Sequence, residues 1–532
     1  MDLTRREALQ TIGAGALISV MQPQRLLAAA NQTVRRFHVC LAPDAIERDP
    51  ELLPAVRRAG VGTVWLAGFF YGHWPYRLER LQAARAQIER AGMEAHLINV
   101  PLGHPGDSLG ATEGGFPLTP PAHWKLGSRI DGKPFAGTSL HEPATAENVQ
   151  ALETLRKAGF TRVFLDDDFR LARGPGEIGG CFCPDHQARF LRLHRYDSTR
   201  WTELLANIQG RELTPLVRAW IEFTSDELTA SFRAQRRAME GGELGIMAMY
   251  LGSEKAGIRL TDYAGVPFRV GELMFDDASF GTVKGKMDEL FSGLMHRRFC
   301  RPELAFSETT AYPASRLSAR NLAAKLALTT LADVRNTMFM SGVTPFPRAH
   351  WDTLGPAMSV QATLHGAVAG HRLHGPCKHF WGEASRWVGD DHPFSLFLAS
   401  GIPFEVTERP GPEGWTFLSD ADAQLAAAGR LASPGTRFIA RAAHGPRSTT
   451  VEPMDESLDA LFAFKARVAP RLRKIPYVVE NEPAVCAWYP TAKTVLVWNP
   501  QEQTKHLTVQ LGRRRREIEV GGLELKLVEK FG

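Results

Sequence analysis

The chain has 532 residues, more than one hydrophobic core usually holds, so two or three domains are expected. Apolar residues make up 44% of the sequence and charged residues 23%, the balance of a soluble globular protein. The formal net charge of +5 is small for this length, and six cysteines are too few for a disulfide scaffold. Beyond residue 30 no uncharged apolar run is long enough to cross a bilayer. These figures exclude a small disulfide-stabilised fold and a bundle of membrane spans.

Residues 1–30 have the parts of an export signal. Arg5 and Arg6 precede an uncharged stretch over 11–24, and three alanines over 28–30 form a small-residue cleavage site. The arrangement resembles a twin-arginine signal, which exports folded proteins from a bacterial cytoplasm. We therefore predict that the chain after the signal works in the periplasm or outside the cell. An ordinary amphipathic N-terminal helix is the alternative.

From Phe37 onward, short apolar runs alternate with segments whose apolar residues recur at helical steps of three and four. Eight such units over about 310 residues match a (β/α)8 TIM barrel, which we predict for residues 31–360. An open doubly wound sheet would carry a glycine-rich turn after its first strand, and Ala42-Pro43-Asp44 is not one. The predicted barrel strands are Phe37–Leu41, Thr63–Phe70, Glu94–Val100, Arg162–Leu165, Leu244–Tyr250, Phe268–Phe275, Glu303–Ser307 and Thr337–Ser341.

After the barrel the pattern changes twice. Residues 361–470 combine apolar runs such as Trp415–Leu418 with helical segments, which predicts a small α/β domain. Residues 471–532 are short strands divided by turns, which predicts a C-terminal β-sandwich. The basic run Arg513–Arg516 lies between two of these strands, where a solvated hairpin face is favoured over a nucleic-acid patch.

Candidate catalytic residues come from the carboxyl ends of the barrel strands, where the connecting loops build the pocket. The fourth strand ends in three acids, Asp166, Asp167 and Asp168. Like charges this close oppose ionisation of all three, so one carboxyl can stay protonated as a general acid while Arg170 keeps another ionised. A solvated loop and a cation site are the alternatives.

Two later strands supply further acids. Glu308 is the first charge after the buried run of the seventh strand, where a nucleophilic carboxylate would face the pocket; a helix-capping role is the alternative. The sixth strand supplies Glu272, Asp276 and Asp277. An unpaired carboxylate inside an apolar run is costly, so Glu272 is expected to have an arginine or hydroxyl partner.

Aromatic and amide side chains follow the early strands. His73 and Trp74 come after the second strand and Asn99 ends the third; Trp351, after the eighth strand, is grouped with them. Aromatic faces stack on sugar rings and amides bind hydroxyl groups, so these residues are candidates for carbohydrate binding. Packing in the core is the alternative for each aromatic.

Cys181, Cys183 and His186 look like half of a zinc site. A structural zinc ion needs four ligands, and no second pair follows nearby. The sequence therefore favours loop packing or a local disulfide, and we expect no metal site.

The run Asp166-Asp167-Asp168-Phe169 resembles the Asp-Asn-Glu-Tyr run that ends the fourth strand in glycoside hydrolase family 42. That family contains β-galactosidases built from a barrel, a small α/β domain and a β-domain. The resemblance implies that Glu308 is the nucleophile, that Asp168 is the acid/base and that Asp167 contacts the sugar 2-hydroxyl. Asp168 is one methylene shorter than the family's Glu and Asp167 adds a charge, so galactose is not implied as the sugar.

Together these features predict an exported glycoside hydrolase, retaining and exo-acting, with Asp168 as acid/base and Glu308 as nucleophile. The expected partner is a carbohydrate, no cofactor or nucleic acid is required, and a homo-oligomer is suggested only by the trimers of the resembled family. One alternative is an inverting or cation-assisted glycosidase or lyase that uses Asp166 and Asp168. A non-catalytic carbohydrate-binding barrel and, from the export route alone, a redox enzyme are the others.

Overall fold

The computed structural model describes residues 34–529, apart from 104–111, 114–115, 136–137, 167–168, 175, 249, 271–273, 343, 434 and 443–448. Eight parallel strands close into a barrel, which confirms the predicted TIM barrel. The strands are β1 (Arg36–Cys40), β2 (Thr63–Phe70), β3 (Glu94–Val100), β4 (Arg162–Leu165), β5 (Glu243–Ala248), β6 (Phe268–Val270), β7 (Ala305–Thr310) and β8 (Asn336–Met340). Each pairs with the strand before and after it, and β8 pairs with β1.

Helices connect the strands around the barrel. The connection between β4 and β5 is extended by three helices, and a short hairpin of Thr112–Glu113 and Phe116–Pro117 lies between β3 and β4. The barrel helices are α1 (Pro43–Arg48), α2 (Leu52–Ala59), α3 (Leu78–Arg90), α4 (Ala144–Lys157), α5 (Pro184–His194), α6 (Thr199–Gln209), α7 (Pro215–Ala238), α8 (Asp277–Phe280), α9 (Val283–His296), α10 (Ala319–Leu331) and α11 (His350–Val368).

The barrel interior is a packed core. One layer of buried side chains is drawn from six strands: Cys40, Trp65, Ile98, Phe164, Phe306 and Met338. Because this layer fills the barrel, a ligand can approach the strands only from their ends.

Five barrel strands differ from the predicted bounds: β1, β5 and β8 by one or two residues at an end, and β6 and β7 by more. β7 begins and ends later than predicted, because 302–304 form a turn and the β-branched Thr309 and Thr310 extend the strand. Glu308 therefore lies inside β7 and not after its end. β6 ends at Val270.

The chain after the barrel forms three further sheets. A parallel sheet contains β9 (Cys377–Phe380), β10 (Phe404–Thr407), β11 (Gly414–Leu418), β12 (Thr436–Arg441) and β13 (Val451–Met454), in the order β10-β9-β11-β12-β13. Its helices are α12 (Glu383–Val388), α13 (Asp420–Ala427) and α14 (Leu458–Val468). Two antiparallel sheets follow, formed by β14 (Tyr477–Val478), β15 (Val485–Tyr489), β16 (Thr494–Trp498), β17 (Lys505–Leu511), β18 (Arg514–Val520) and β19 (Leu525–Val528). They join as β14-β17-β18 and β15-β16-β19.

This order confirms the predicted fold class, a barrel followed by an α/β sheet and a β-rich C-terminal part. The boundaries after residues 360 and 470 stay predictions. The predicted export signal lies outside the described residues. Among the helices that the structure describes, none has the length and apolar character needed to cross a membrane.

Candidate active site and candidate metal centre

Three strands bring two carboxylates and one guanidinium together inside the barrel. Arg269, in β6, is fully buried and forms an ion pair with Asp166, which follows β4. Its Nε lies 3.0 Å from Oε2 of Glu308 in β7, and Thr310 Oγ1 donates a 2.8 Å hydrogen bond to Oε1 of the same carboxylate. One guanidinium thus contacts both carboxylates.

The surroundings of this charge cluster are largely apolar. The Arg269 guanidinium lies 5.5 Å from the centre of the Phe164 ring and against two methionine sulfurs, at 3.0 and 3.3 Å. Burial raises the pKa of the Cys40 thiol; Arg269 lowers it, and Glu308 and Asp166 raise it further, so β1 also lies close to these charges. With little water in between, attraction within the cluster is stronger than at the surface.

Asn99 connects the ends of three strands beside the cluster. Its Oδ1 accepts a 2.9 Å hydrogen bond from the backbone N–H of Phe69, and its carbonyl oxygen accepts one of 2.9 Å from that of Asp166. Gly68 leaves the necessary room, because a Cβ at this position would lie 2.2 Å from Asn99 Oδ1. Asn99 therefore holds β2 and β4 in fixed positions at the carboxyl end of the barrel.

The loop after β2 presents an aromatic face at the same end of the barrel. Trp74 is 40% exposed, and its ring contacts that of Phe69 with 5.2 Å between centres. The backbones of Phe70 and His73 exchange hydrogen bonds of 2.9 and 2.8 Å, and His73 Nε2 lies 3.1 Å from the carbonyl oxygen of Thr119. A ring held this way is suited to stacking on a sugar.

Three other candidate residues contact neighbouring backbone or core groups of the barrel. Arg170 donates to the carbonyl oxygen of Ala172 at 3.1 Å. Asp277 accepts 3.0 Å hydrogen bonds from the backbone N–H and the hydroxyl of Ser318, at the start of α10. Trp351 is buried, with its ring 5.5 and 6.2 Å from two phenylalanine rings. Trp351 thus packs in the barrel wall, whereas the exposed Asp277 caps the start of α10. The sugar-binding roles of both residues stay predictions.

Asp167, Asp168 and Glu272 lie outside the described residues. In the sequence, Asp168 comes two positions after Asp166. The acid/base role of Asp168 and the substrate contacts of the other two stay predictions.

A second cluster has the composition of a metal site. His141, from the connection between β3 and β4, meets Cys181, Cys183 and His186. His141 Nε2 lies 3.7 and 3.6 Å from the two sulfurs, and Cys183 Sγ lies 3.2 Å from His186 Nδ1. Both thiols are free, so the disulfide considered from the sequence is wrong.

These distances fit a zinc ion. Tetrahedral coordination with Zn–S near 2.3 Å and Zn–N near 2.0 Å places neighbouring sulfur and nitrogen ligands about 3.6 Å apart. The other ring nitrogen of His186, Nε2, lies 3.7 Å from the Glu227 carboxylate, which is beyond hydrogen-bond distance. Because the protein supplies all four ligands, the zinc would be structural, without an open position for catalysis.

A cavity of about 820 Å³ lies at the opposite, N-terminal mouth of the barrel. Charges on its rim pair with each other: Arg162 lies 2.6 Å from Glu243 and 3.5 Å from Glu94. Since barrel active sites are built from the loops at the carboxyl ends of the strands, this cavity does not compete with the charge cluster as the reaction site.

Sequence analysis does not single out Arg269 or His141. Arg269 is a lone charge between Phe268 and Val270, and the cost of burying such a charge is the signal that could have found it. His141 lies 40 residues before Cys181, and no local spacing connects the two.

The chain shares its fold with known glycosidase structures. No model of a protein family matches the sequence, and no curated protein sequence matches it. The β-galactosidase from the psychrophilic Marinomonas ef1 superposes with a TM-score of 0.56 at 11% identity, over 93% of this chain and 100% of that chain. The cold-adapted β-galactosidase from Rahnella sp. R3 gives 0.53 at 12% identity, over 93% and 98%. The α-L-fucosidase isoenzyme 2 from Paenibacillus thiaminolyticus gives 0.52 at 10% identity, over 93% and 98%. The shared property is the fold.

Proposed function

We propose that the protein is a glycoside hydrolase whose reaction site lies at the carboxyl end of the barrel. One observation carries the proposal: within a fold shared with glycosidases, the buried Glu308 is paired with Arg269 and oriented by Thr310. A nucleophile for an anomeric carbon must be ionised, fixed in direction and shielded from bulk water. Glu308 is buried, lies beside the Arg269 guanidinium and accepts a hydrogen bond from Thr310, contacts that support this role.

The proposed reaction is retaining. Glu308 attacks the anomeric carbon and forms a glycosyl-enzyme, while Asp168 protonates the departing oxygen and then activates the water that releases the sugar. Such a pair of carboxyl groups lies about 5–5.5 Å apart in retaining enzymes. Retention, exo-action and the role of Asp168 are supported by the resemblance to family 42.

The contacts of Asp166 disfavour the cation-assisted alternative. Its carboxylate is paired with the buried guanidinium of Arg269, so a divalent cation bound there would lie beside an existing positive charge. In the proposed enzyme Asp166 balances the charge of Arg269 and positions it against Glu308.

Export is also part of the proposal. The arginine pair at Arg5 and Arg6, with the apolar stretch and alanines that follow, supports a twin-arginine route. The enzyme would then act on carbohydrate in the periplasm or outside the cell.

The test replaces one carboxylate and leaves the size of the side chain unchanged. Glu308→Gln should lower kcat on aryl glycosides by at least ~10³-fold, because both half-reactions need the nucleophile. The matched control is Glu303→Gln, a 58% exposed carboxylate near the opposite end of β7 that pairs with Arg335. The control should keep full activity, and ordinary turnover by Glu308→Gln would contradict the proposal.

The proposed acid/base role of Asp168 is tested by how activity depends on the leaving group of the substrate. Asp168→Ala should spare aryl glycosides with good leaving groups far more than natural glycosides, because only poor leaving groups need protonation. Equal loss on both substrate types would remove Asp168 from this role.

A further inference from the structure

The C-terminal sheets carry a dense positive surface. The turn between β17 and β18 contains Gly512 and Arg513, and Leu511 lies opposite Arg514 in the register of the two strands. We use the name basic tip for the exposed side chains Arg471, Arg473, Lys474, Arg513, Arg514, Arg515 and Arg516.

The basic tip is assembled from two separate segments of the chain. The first precedes β14, which pairs with β17 through Tyr477 and Gln510. The second is the hairpin turn itself, where a Cβ on Gly512 would lie 3.2 Å from the carbonyl oxygen of Arg473. The fold, and not the run of four arginines alone, concentrates the charge.

This surface accounts for the positive charge of the whole chain. The sequence has 63 basic and 58 acidic side chains, and without the seven of the basic tip 56 basic residues face 58 acidic ones. Arg515 Nε donates a 3.0 Å hydrogen bond to Gln510 Oε1, and Arg516 donates one of 2.5 Å to the backbone carbonyl oxygen of Glu529. The exposed Glu517 and Glu519 on the same strand offset part of the charge.

We propose that the basic tip binds an acidic polysaccharide through its carboxylate or sulfate groups. Guanidinium groups bind such anions in a forked, charge-assisted geometry. The large apolar side chains that are well exposed in the described part of the chain include one residue near the tip, Val479, and no aromatic there. Among the described residues, the tip therefore offers no well-exposed ring for stacking on nucleic-acid bases, Tyr477 of β14 being half-buried, and no broad apolar face for entering a membrane. The choice of a polysaccharide rests on the proposed glycosidase function.

The proposal is tested by affinity electrophoresis of the full chain. In gels containing polygalacturonate or dextran sulfate the protein should be retarded, in neutral dextran it should not, and 0.5 M salt should abolish the effect. The variant with Arg513, Arg514, Arg515 and Arg516 all changed to Gln should bind at least about tenfold more weakly. The control Arg236→Gln/Arg237→Gln removes two exposed charges at the end of α7 and should bind like the wild type.

Measuring glycosidase activity distinguishes a failure of the basic-tip proposal from a failure of the glycosidase proposal. The variant at the tip should cleave a small aryl glycoside at the wild-type rate. If no glycoside is cleaved but the variant still loses binding, the glycosidase proposal fails and the basic tip is upheld. Three results would overturn the proposal for the basic tip. The wild type and the variant could be retarded equally, or neither could be retarded. The protein could also bind duplex DNA or anionic vesicles more tightly than the polysaccharides.

Discussion

Arg269 offsets part of the free-energy cost of burying two carboxylates, Asp166 and Glu308, inside the barrel. Removing one partner of a buried ion pair commonly costs about 3–5 kcal/mol, because the remaining charge is left without compensation. Asp166, Arg269 and Glu308 together carry two negative charges and one positive charge. In the proposed reaction, a carboxylate held beside the anomeric carbon stabilises the positive charge that develops there.

At the same scale, Gly68 sets the position of Asn99. In Gly68→Ala the new methyl group would lie 2.2 Å from Asn99 Oδ1, so the hydrogen bond to Phe69 must break. We expect a loss of about 1–3 kcal/mol of unfolding free energy and a fall of about tenfold or more in kcat/KM. Gly62→Ala is the control, since a Cβ there meets nothing within 4 Å. Equal behaviour of the two variants would show that Asn99 has no positioning role.

At the scale of elements, the cysteine–histidine cluster joins the connection before α4 to the start of α5. The purified protein should contain about one zinc ion per chain, and Cys183→Ser should lose it and lower Tm by about 5 °C. Cys300→Ser is the control, because that thiol is buried and donates to the backbone carbonyl of Arg301. Metal analysis and thermal melting measure both effects. A wild-type protein without zinc would contradict the assignment.

Helix α13, which follows strand β11 of the parallel sheet, contains a buried acid, Asp422. Burial raises the pKa of Asp422 to about 6, although hydrogen bonds from Ser385, Gly382 and Ser419 oppose the shift. Between about pH 4 and 6 the folded state therefore holds this proton more tightly than the unfolded state. Stability from this group is present at low pH and falls by about 3 kcal/mol as pH rises through that window.

Asp422→Asn should remove this pH dependence. The free energy of unfolding, measured by urea titration from pH 4 to 7, should decline with pH less in the variant than in the wild type. Asp455→Asn, at an exposed position, should follow the wild-type curve. Parallel curves for the wild type and Asp422→Asn would show that the group titrates normally.

Much of the barrel is predictable from local pattern. The bounds of β2, β3 and β4 agree with the prediction, because apolar residues dominate each segment. β7 is displaced because Glu308, a charge, falls inside the strand. Asp166 is found from the sequence because it follows β4, and Glu308 because it is the first charge after an apolar run. Arg269 and His141 take part only through contacts between distant segments. Tertiary pairing of that kind leaves no periodic signal.

At the scale of the whole molecule, the two mouths of the barrel differ in charge organisation. At the N-terminal mouth, acids and arginines on the rim pair with each other around the cavity. Toward the carboxyl ends of the strands lie a buried charge cluster and the exposed ring of Trp74. This asymmetry agrees with the division in barrel enzymes between a stabilising end and a reactive end.

The predicted export of the protein is tested by substitutions in the N-terminal signal. Arg5→Lys/Arg6→Lys should leave the precursor in the cytoplasm, because the twin-arginine receptor reads the guanidinium pair and not charge alone. Arg25→Lys, in the same segment, should be exported normally. Cell fractionation and immunoblotting measure the distribution. Normal export of the double variant would replace the twin-arginine signal with a general secretory one.

The central claim, that Glu308 is the nucleophile of a retaining glycosidase, is tested most directly by azide rescue. Glu308→Ala removes the carboxylate and leaves space in which azide can attack the anomeric carbon of an aryl glycoside. The NMR spectrum of the product should show a glycosyl azide of inverted anomeric configuration, formed by an enzyme that is otherwise inactive. A glycosyl azide of retained configuration, or ordinary turnover by Glu308→Ala without azide, would contradict the account.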